Sequence, residues 1–189
     1  FVFENDVKPY FLDKFSQRYA EYISFSYDSV KIGDRTPLEM YSDFMKNFHD
    51  HYKNYLDSNV ISEIEVGLGP CGELRYPSYL LTRWHYPSVG TFQCYDKQFR
   101  KLFKEAATAA GHPEWKLPND TGRSYNVTPR GPGFWRKTYK TEYGKFFLSW
   151  YAQTLIDHGR NVLKIARDIF PKSHLSGKIS GIHWQYLTD

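Results

Sequence analysis

The sequence predicts an α/β fold, in which helices alternate with strands. A helix starts at Thr36, because this threonine can cap it, Pro37 suits its first turn and Glu39 completes a capping box. After a break at 58–59, the stretch 60–68 has the β-branched character of a strand. A long helix, a tight break and a strand in succession are typical of an α/β barrel or a doubly wound sheet.

The composition is ordinary for one globular domain. The 189 residues suffice for a single core, and 41% are hydrophobic and 24% charged. The 25 basic and 21 acidic residues are interspersed, so the net charge of +4 indicates a solvated surface rather than a nucleic-acid-binding face. No apolar run approaches the length of about 18 residues that spans a membrane. The opening residues have no initiator methionine and no signal-peptide pattern, so we expect a section that begins within a longer protein.

The remaining elements continue the alternation. We expect residues 1–35 to form a long irregular connection with short extended pieces. Helices are predicted over 96–110 and from Thr141 or Glu142 to the residue before Pro171, and a last strand over 177–184. The stretches 69–94 and 112–140 are predicted loops. The first helix has an apolar stripe, which we expect to be core: Tyr41, Phe44, Met45, Phe48, Tyr52, Tyr55 and Leu56.

Chemistry is expected in the stretch 63–79. Three glycines and a proline stop the strand there, and small residues let the backbone turn tightly and let a ligand approach closely. The loop that follows carries Glu73, Arg75 and two tyrosines, which suits a sugar-handling site. Lys178 and His183 lie near the end of the last predicted strand. In an α/β barrel, active-site residues gather at such carboxyl ends of strands.

The two cysteines do not indicate a metal site. Cys71 and Cys94 lack the CxxC spacing of zinc ligands, and we predict neither a metal nor another cofactor. One disulfide or two buried free thiols are both compatible with the sequence.

Five motifs resemble, in the same order, the signatures of the β-amylase family. They are Gly67–Tyr79, Phe92–Lys97, Gly111–Trp115, Tyr143–Leu148 and Gly181–Trp184. The resemblance runs from about Phe3 to Asp189 and implies a (β/α)8 barrel of the TIM type. It implies that residues 1–189 are a partial catalytic domain, the section from after strand 3 through strand 5. Cys71 replaces the family's usual alanine, so activity could be thiol-sensitive, and Thr91 stands where glutamate is common.

The resemblance also implies roles for individual residues. Glu73 would be the catalytic general acid, which protonates the glycosidic oxygen of the leaving chain. Lys178 and His183 would hydrogen-bond glucosyl units, and a further group would line the same cleft: Gly181, Trp184 and Tyr79. The substrate would be an α-1,4-glucan such as starch or maltodextrin, from whose non-reducing end β-maltose is released with inversion. Neither nucleic acid nor a membrane is expected as a partner.

Three expectations concern charged side chains near the acid. A general acid must be protonated when it acts, and a guanidinium favours the carboxylate, so we expect Arg75 to point away from Glu73. Glu65 is expected to point into the barrel and pair with a basic residue. The family's second catalytic glutamate lies on a later strand without a counterpart here, so the 189 residues alone are expected to be inactive.

Two other classes of function remain open. One is a catalytically inactive β-amylase-like protein that binds glucan or has a regulatory role. The other is a basic, aromatic nucleic-acid binder. Only the pI of about 8.9 and the 16 tyrosines favour this class.

Overall fold

The computed structural model describes residues 9–78, 91–119 and 133–180. Its elements, in chain order, are strands β1 (Tyr10–Leu12) and β2 (Arg18–Ile23), helices α1 (Pro37–His51) and α2 (Lys53–Asp57), strands β3 (Glu63–Val66) and β4 (Glu73–Leu74), helices α3 (Lys97–Ala109) and α4 (Glu142–Ile169), and strand β5 (His174–Ile179). The chain divides into two compact units, and α4 contributes residues to both. No described helix combines the length and apolar character that a membrane crossing requires.

A parallel sheet organises the first unit, which includes Phe25–Arg75 and Leu155–Ser180. Strand β5 pairs in parallel with β3 through 174–177 and with β4 through 178–179, so the strand order is β3-β5-β4. Parallel strands need a crossover connection, usually helical, and α4 immediately precedes β5 here. The predicted α/β class is therefore confirmed for this part of the chain.

Helix α1 begins as predicted. The Thr36 hydroxyl accepts the Glu39 backbone N–H at 3.2 Å, and the Glu39 carboxylate accepts the Thr36 backbone N–H at 2.7 Å. These reciprocal bonds satisfy two of the backbone donors that every helix start leaves open.

The core of the first unit lies between these helices and the sheet. It consists of the buried residues Met45, Val66, Leu68, Val162, Ala166 and Phe170. The prediction that the whole α1 stripe is core is wrong in part, because Phe44 is 72% and Tyr55 54% exposed. The stripe residues that belong to this core or pack against it are Tyr41, Met45, Phe48 and Leu56. Residue Tyr52, with φ −105° and ψ 16°, also interrupts the helix between α1 and α2, which turns the later positions out of line.

The second unit, which includes Pro9–Ser24 and Tyr76–Thr154, has an aromatic core. Its most deeply buried rings are Phe11, Phe99, Phe103 and Phe147. The rings of Tyr76 and Tyr151 stack with centroids 3.9 Å apart. Helix α3 starts as predicted, because the Asp96 carboxylate accepts the backbone N–H groups of Gln98 and Phe99 at 3.0 Å.

Strand boundaries differ from the predicted ones. The predicted irregular region contains an antiparallel pair, β1 and β2. Strand β3 begins at Glu63 rather than residue 60, since the N–H groups of Val60 and Ile61 donate to the Tyr55 carbonyl and close the end of α2. Strand β5 begins at His174, three residues before the predicted start, because its first residues pair with β3 despite their polar character.

Candidate active site

The turn between β3 and β4 is built from backbone geometry that few sequences allow. Cys71 and Gly72 both have positive φ, 57° and 77°, in the left-handed region. The Leu68 N–H donates to the Gly72 carbonyl at 3.0 Å and closes the turn immediately before Glu73. Glycine adopts this conformation at little cost, whereas cysteine adopts it only where the surroundings enforce it.

Glycine is required at position 69 because other backbone atoms approach it closely, and its dihedral angles are not the reason. A Cβ atom at this position would lie 2.5 Å from the Glu73 carbonyl oxygen and 3.3 Å from that of Arg75. Both contacts are with backbone, which cannot rotate away. The missing side chain at Gly69 therefore lets the segment with Glu73 fold back against the end of β3.

Glu73 is half-buried and already hydrogen-bonded. The Ser180 hydroxyl donates to its Oε2 atom at 3.0 Å, and Arg75 Nε lies 2.8 Å from the same oxygen. No hydrogen bond to Oε1 is found among the described residues. Both partners therefore approach one carboxylate oxygen and leave the other available.

The expectation that Arg75 points away from Glu73 is wrong. The two side chains are about equally exposed, 27% and 28%, and form an ion pair, although the Nε–H lacks the alignment of a hydrogen bond. The Arg75 backbone N–H donates to the Glu73 carbonyl at 2.9 Å, so the chain turns directly after β4 and brings this guanidinium back to the carboxylate. The Arg75 Nη2 atom also donates to the Cys71 sulfur at 3.4 Å.

Lys178 is brought to the acid by the pairing of the strands. It lies on β5 in register with Glu73 on β4, and its side chain is exposed. The structure thus places two of the predicted site residues side by side. The other four lie outside the described residues: Tyr79, Gly181, His183 and Trp184.

Glu63 and Glu65 do not join this group. Both lie on β3 and are exposed. The expected partner of Glu65 is not found, since no ion pair of this residue occurs within 9–78, 91–119 or 133–180.

Two polar residues of the site were missed by reasoning from the sequence. Ser180 follows Lys178 by two positions, which is the spacing of one strand face and could have indicated it. His158 lies on α4 at 2% exposure and hydrogen-bonds to Asp28 and to the Leu68 carbonyl. A single histidine within an apolar helix stripe was the available signal for it.

The cysteines are both free, and they differ in environment. Cys71 is exposed and Cys94 is buried. Burial raises the pKa of the Cys94 thiol well above its ordinary value, and the charge of Asp96 adds to the shift. Across the described ranges, no group of three His, Cys, Asp or Glu side chains lies close enough together to hold a metal ion.

Comparison with known proteins gives a consistent result. Residues 3–189 match the family described as glycosyl hydrolase family 14. The chain is 47% identical over 191 residues to Beta-amylase 5 of Arabidopsis thaliana, an alignment that covers 98% of this chain and 38% of that protein. It is 46% identical over 186 residues to a Beta-amylase of Glycine max, with 95% and 37% covered.

A cereal relative is similar to the same extent. The chain is 46% identical over 183 residues to Beta-amylase Tri a 17 of Triticum aestivum, with 94% of this chain and 36% of that protein covered. The chain therefore spans less than two fifths of the length of these curated relatives. The family's (β/α)8 barrel agrees with the parallel strands and helices seen here. Because the match covers nearly every residue and the relatives are close to half identical, the chain belongs to glycosyl hydrolase family 14.

Proposed function

We propose that this chain is the central section of a starch-degrading enzyme that releases β-maltose from the non-reducing ends of α-1,4-glucans with inversion. Residues 1–189 are then part of one catalytic domain, the section from after strand 3 through strand 5 of a (β/α)8 barrel. Membership in glycosyl hydrolase family 14 supports this class of reaction, and the relatives carry the name β-amylase. The partner is an α-1,4-glucan such as starch or maltodextrin.

The observation that carries the proposal is the position of Glu73. It lies just beyond β3, beside Lys178 on the neighbouring strand, with Ser180 bonded to its carboxylate. These groups meet at the carboxyl ends of β3 and β5, where barrel enzymes place their reacting groups. Glu73 serves as general acid and Lys178 binds a glucosyl unit. Tyr79, Gly181, His183 and Trp184 line the same cleft.

The contacts of Glu73 support different roles for its two carboxyl oxygens. Ser180 and Arg75 approach Oε2, so they orient the carboxyl group without covering Oε1. In the protonated acid, the proton lies on Oε1 and passes to the glycosidic oxygen as the bond to the leaving chain breaks. Arg75 stabilises the carboxylate that this transfer leaves on Glu73, which then takes a proton from solvent before the next cycle.

Inversion requires a second carboxylate on the opposite face of the sugar ring. In inverting enzymes the two carboxyl groups are about 6.5–9.5 Å apart, which leaves room for the attacking water. Glu63 and Glu65 enter the same turn as Glu73 from β3, so they share its side of the substrate. The base therefore comes from another strand of the complete barrel, and the 189 residues alone do not hydrolyse starch.

The test is maltose release from soluble starch by the complete protein. Replacing Glu73→Gln keeps the shape of the side chain but removes the transferable proton, and activity should fall by about 100-fold or more. The matched control is Glu105→Gln, an exposed glutamate on helix α3, which should keep full activity. Equal activity of the Glu73 variant and the wild type would refute the proposal.

One observation favours a second candidate, a glucan-binding protein without activity. The ion pair with Arg75 stabilises the carboxylate form of Glu73, which cannot donate a proton. Such a protein would bind maltose in a calorimetric titration and release none from starch. Turnover by the wild type in the assay above would exclude it.

A further inference from the structure

His158 on α4 has a hydrogen-bond acceptor on each of its two ring nitrogens. Nδ1 lies 2.8 Å from Asp28 Oδ2 and 3.0 Å from Oδ1, and Nε2 lies 3.1 Å from the Leu68 carbonyl oxygen. A backbone carbonyl and an ionised carboxylate can only accept hydrogen bonds. Both ring nitrogens must therefore carry a proton for both bonds to form, and the ring is then an imidazolium cation.

The proton between the two side chains is assigned to the ring from geometry. The Nδ1 atom of His158 faces both oxygens of Asp28, at 2.8 and 3.0 Å, as an N–H that donates to a carboxylate does. Asp28 is also the more exposed partner, at 14% against 2%, and keeps part of its solvation as a carboxylate. The pair is thus a buried cation held by one partly solvated anion.

The other neighbours of the ring are compatible with a positive charge. The Phe25 ring stacks on His158 at 3.9 Å between centroids, and an aromatic face attracts a cation. Tyr41 meets the ring edge-on at 6.4 Å and is uncharged, because burial raises its pKa to about 12. The nearest charged side chains on α4 itself, Asp157 and Arg160, pair with each other at the surface.

The bonds of His158 lead directly to the segment that carries Glu73. The imidazolium holds the Leu68 carbonyl, and the Leu68 N–H holds the Gly72 carbonyl at 3.0 Å, one residue before the acid. The next residue of α4, Gly159, lies against the other side of this segment. A Cβ atom there would be 3.0 Å from Leu74 Cδ1. Helix α4 therefore contacts the acid segment on both sides of Glu73.

We propose that His158, held as an imidazolium by Asp28, is a positioning residue that sets the backbone of Leu68 and thereby the orientation of Glu73. This inference rests on the proposed role of Glu73 as general acid. A neutral ring could satisfy only one of its two acceptors and would release either Asp28 or the Leu68 carbonyl. If the Leu68 carbonyl were released, the turn would lose the hydrogen bond that fixes Leu68. The carboxyl group of Glu73 would then shift relative to the glycosidic oxygen.

The first experiment measures starch hydrolysis by the complete protein carrying Asp28→Asn or His158→Gln. Both variants keep the size of the side chain and remove one member of the ion pair. Because small displacements of a reacting group reduce rates steeply, kcat should fall by about 10- to 100-fold while KM changes by less than about twofold. The matched control is His51→Gln, an exposed histidine at the end of α1, which should have wild-type kinetics.

The second experiment observes the ring directly and does not depend on activity. In a nitrogen-15 NMR spectrum of the wild-type protein at pH 7, both ring nitrogens of His158 should show the shifts of protonated nitrogen. Asp28→Asn should return one of them to the unprotonated range. A single protonated nitrogen in the wild type would overturn the inference, even if the His158 variant failed to fold.

The two proposals can fail separately. If Glu73→Gln abolishes activity but Asp28→Asn and His158→Gln have normal kcat, the positioning role is wrong and the acid role stands. If Glu73→Gln is fully active, the acid role is wrong. The positioning role falls with it, and the NMR spectrum then reports only the charge of the ring.

Discussion

Glu73 on β4 and Lys178 on β5 are register partners on adjacent parallel strands. Partners in a parallel sheet project to the same face, so a negative and a positive side chain emerge together where the strands end. The carboxylate is half-buried and held by Ser180, whereas the lysine is exposed. This arrangement suits an acid that reacts and a cation that binds, and it leads to the first prediction.

Replacing Lys178→Met should weaken the binding of glucan by the complete protein. The variant keeps the length of the side chain and loses a charged donor, whose hydrogen bond is worth about 1.5–3 kcal/mol. We expect kcat/KM for starch to fall by about 10- to 100-fold, mainly through KM. Lys172→Met, a change to an exposed lysine just before β5, is the control and should leave both constants unchanged. Equal effects of the two changes would contradict a specific role for Lys178.

A methyl group at Gly69 should displace the acid, whereas one at Gly67 should not. The Cβ of Gly69→Ala would meet the Glu73 carbonyl oxygen at 2.5 Å, but that of Gly67→Ala has its nearest neighbour at 3.9 Å. Forced contacts of this kind typically cost about 1–3 kcal/mol of stability. Urea denaturation and starch hydrolysis should therefore show losses for the first variant only. Comparable behaviour of the two variants would show that the turn can relax.

The two thiols should differ in reactivity towards iodoacetamide at pH 8. The thiolate is the nucleophile, and the raised pKa and burial of Cys94 leave it unreactive, whereas Cys71 is exposed. Peptide mass spectrometry should find label on Cys71 alone in the folded protein and on both after denaturation. Labelling of Cys94 in the folded state would contradict this prediction.

Alkylation of Cys71 should also lower activity. Its sulfur accepts a hydrogen bond from Arg75 Nη2 at 3.4 Å, and Arg75 Nε contacts Glu73 Oε2, so a bulky group on the sulfur displaces the guanidinium. Maltose release by the wild type should decrease with the extent of labelling. The Cys71→Ala variant, which lacks the sulfur that the reagent modifies, should be active and insensitive to the reagent. Loss of activity in that variant on treatment would assign the effect to another group.

Removing the cap of α1 should destabilise the protein by about 1 kcal/mol. Thr36→Ala deletes the hydroxyl that accepts the Glu39 N–H, and the free energy of unfolding in urea measures the loss. Ser42→Ala, inside the same helix, is the control and should not destabilise, because alanine favours helix interiors. A similar loss in both variants would argue against the capping box.

The capping box should also depend on pH. The pKa of Glu39 is lowered from its ordinary value of 4.5, chiefly because the Thr36 backbone N–H donates to the carboxylate. A lowered folded-state pKa means that this stabilisation is present above about pH 4.5 and is lost as the pH falls through the lowered value. The difference in stability between wild type and Glu39→Gln should therefore shrink in acid. A stability difference between the two proteins that grows as the pH falls would contradict this prediction.

Local signals were sufficient for the helices and for part of the site. The caps at Thr36 and Asp96 act on donors within three residues, so they can be recognised from neighbouring letters alone. The long helix before Pro171 follows from periodicity in the same way. Glu73 and Lys178 could be named in advance because the motifs around them resemble those of a known family. The remaining four predicted site residues lie outside the described residues.

Contacts between distant parts of the chain could not be read from the sequence. Glu73 and Ser180 are separated by 107 positions and Asp28 and His158 by 130, and no local pattern specifies which polar groups will meet. The direction of Arg75 depended on the turn after β4, and the exposure of Phe44 depended on which residues of α1 pack against the core. Caps and periodicity arise from backbone geometry over a few residues, and family motifs indicate the proposed reacting groups. Orientation, register and buried charge arise only when strands pair and side chains compete for the same space.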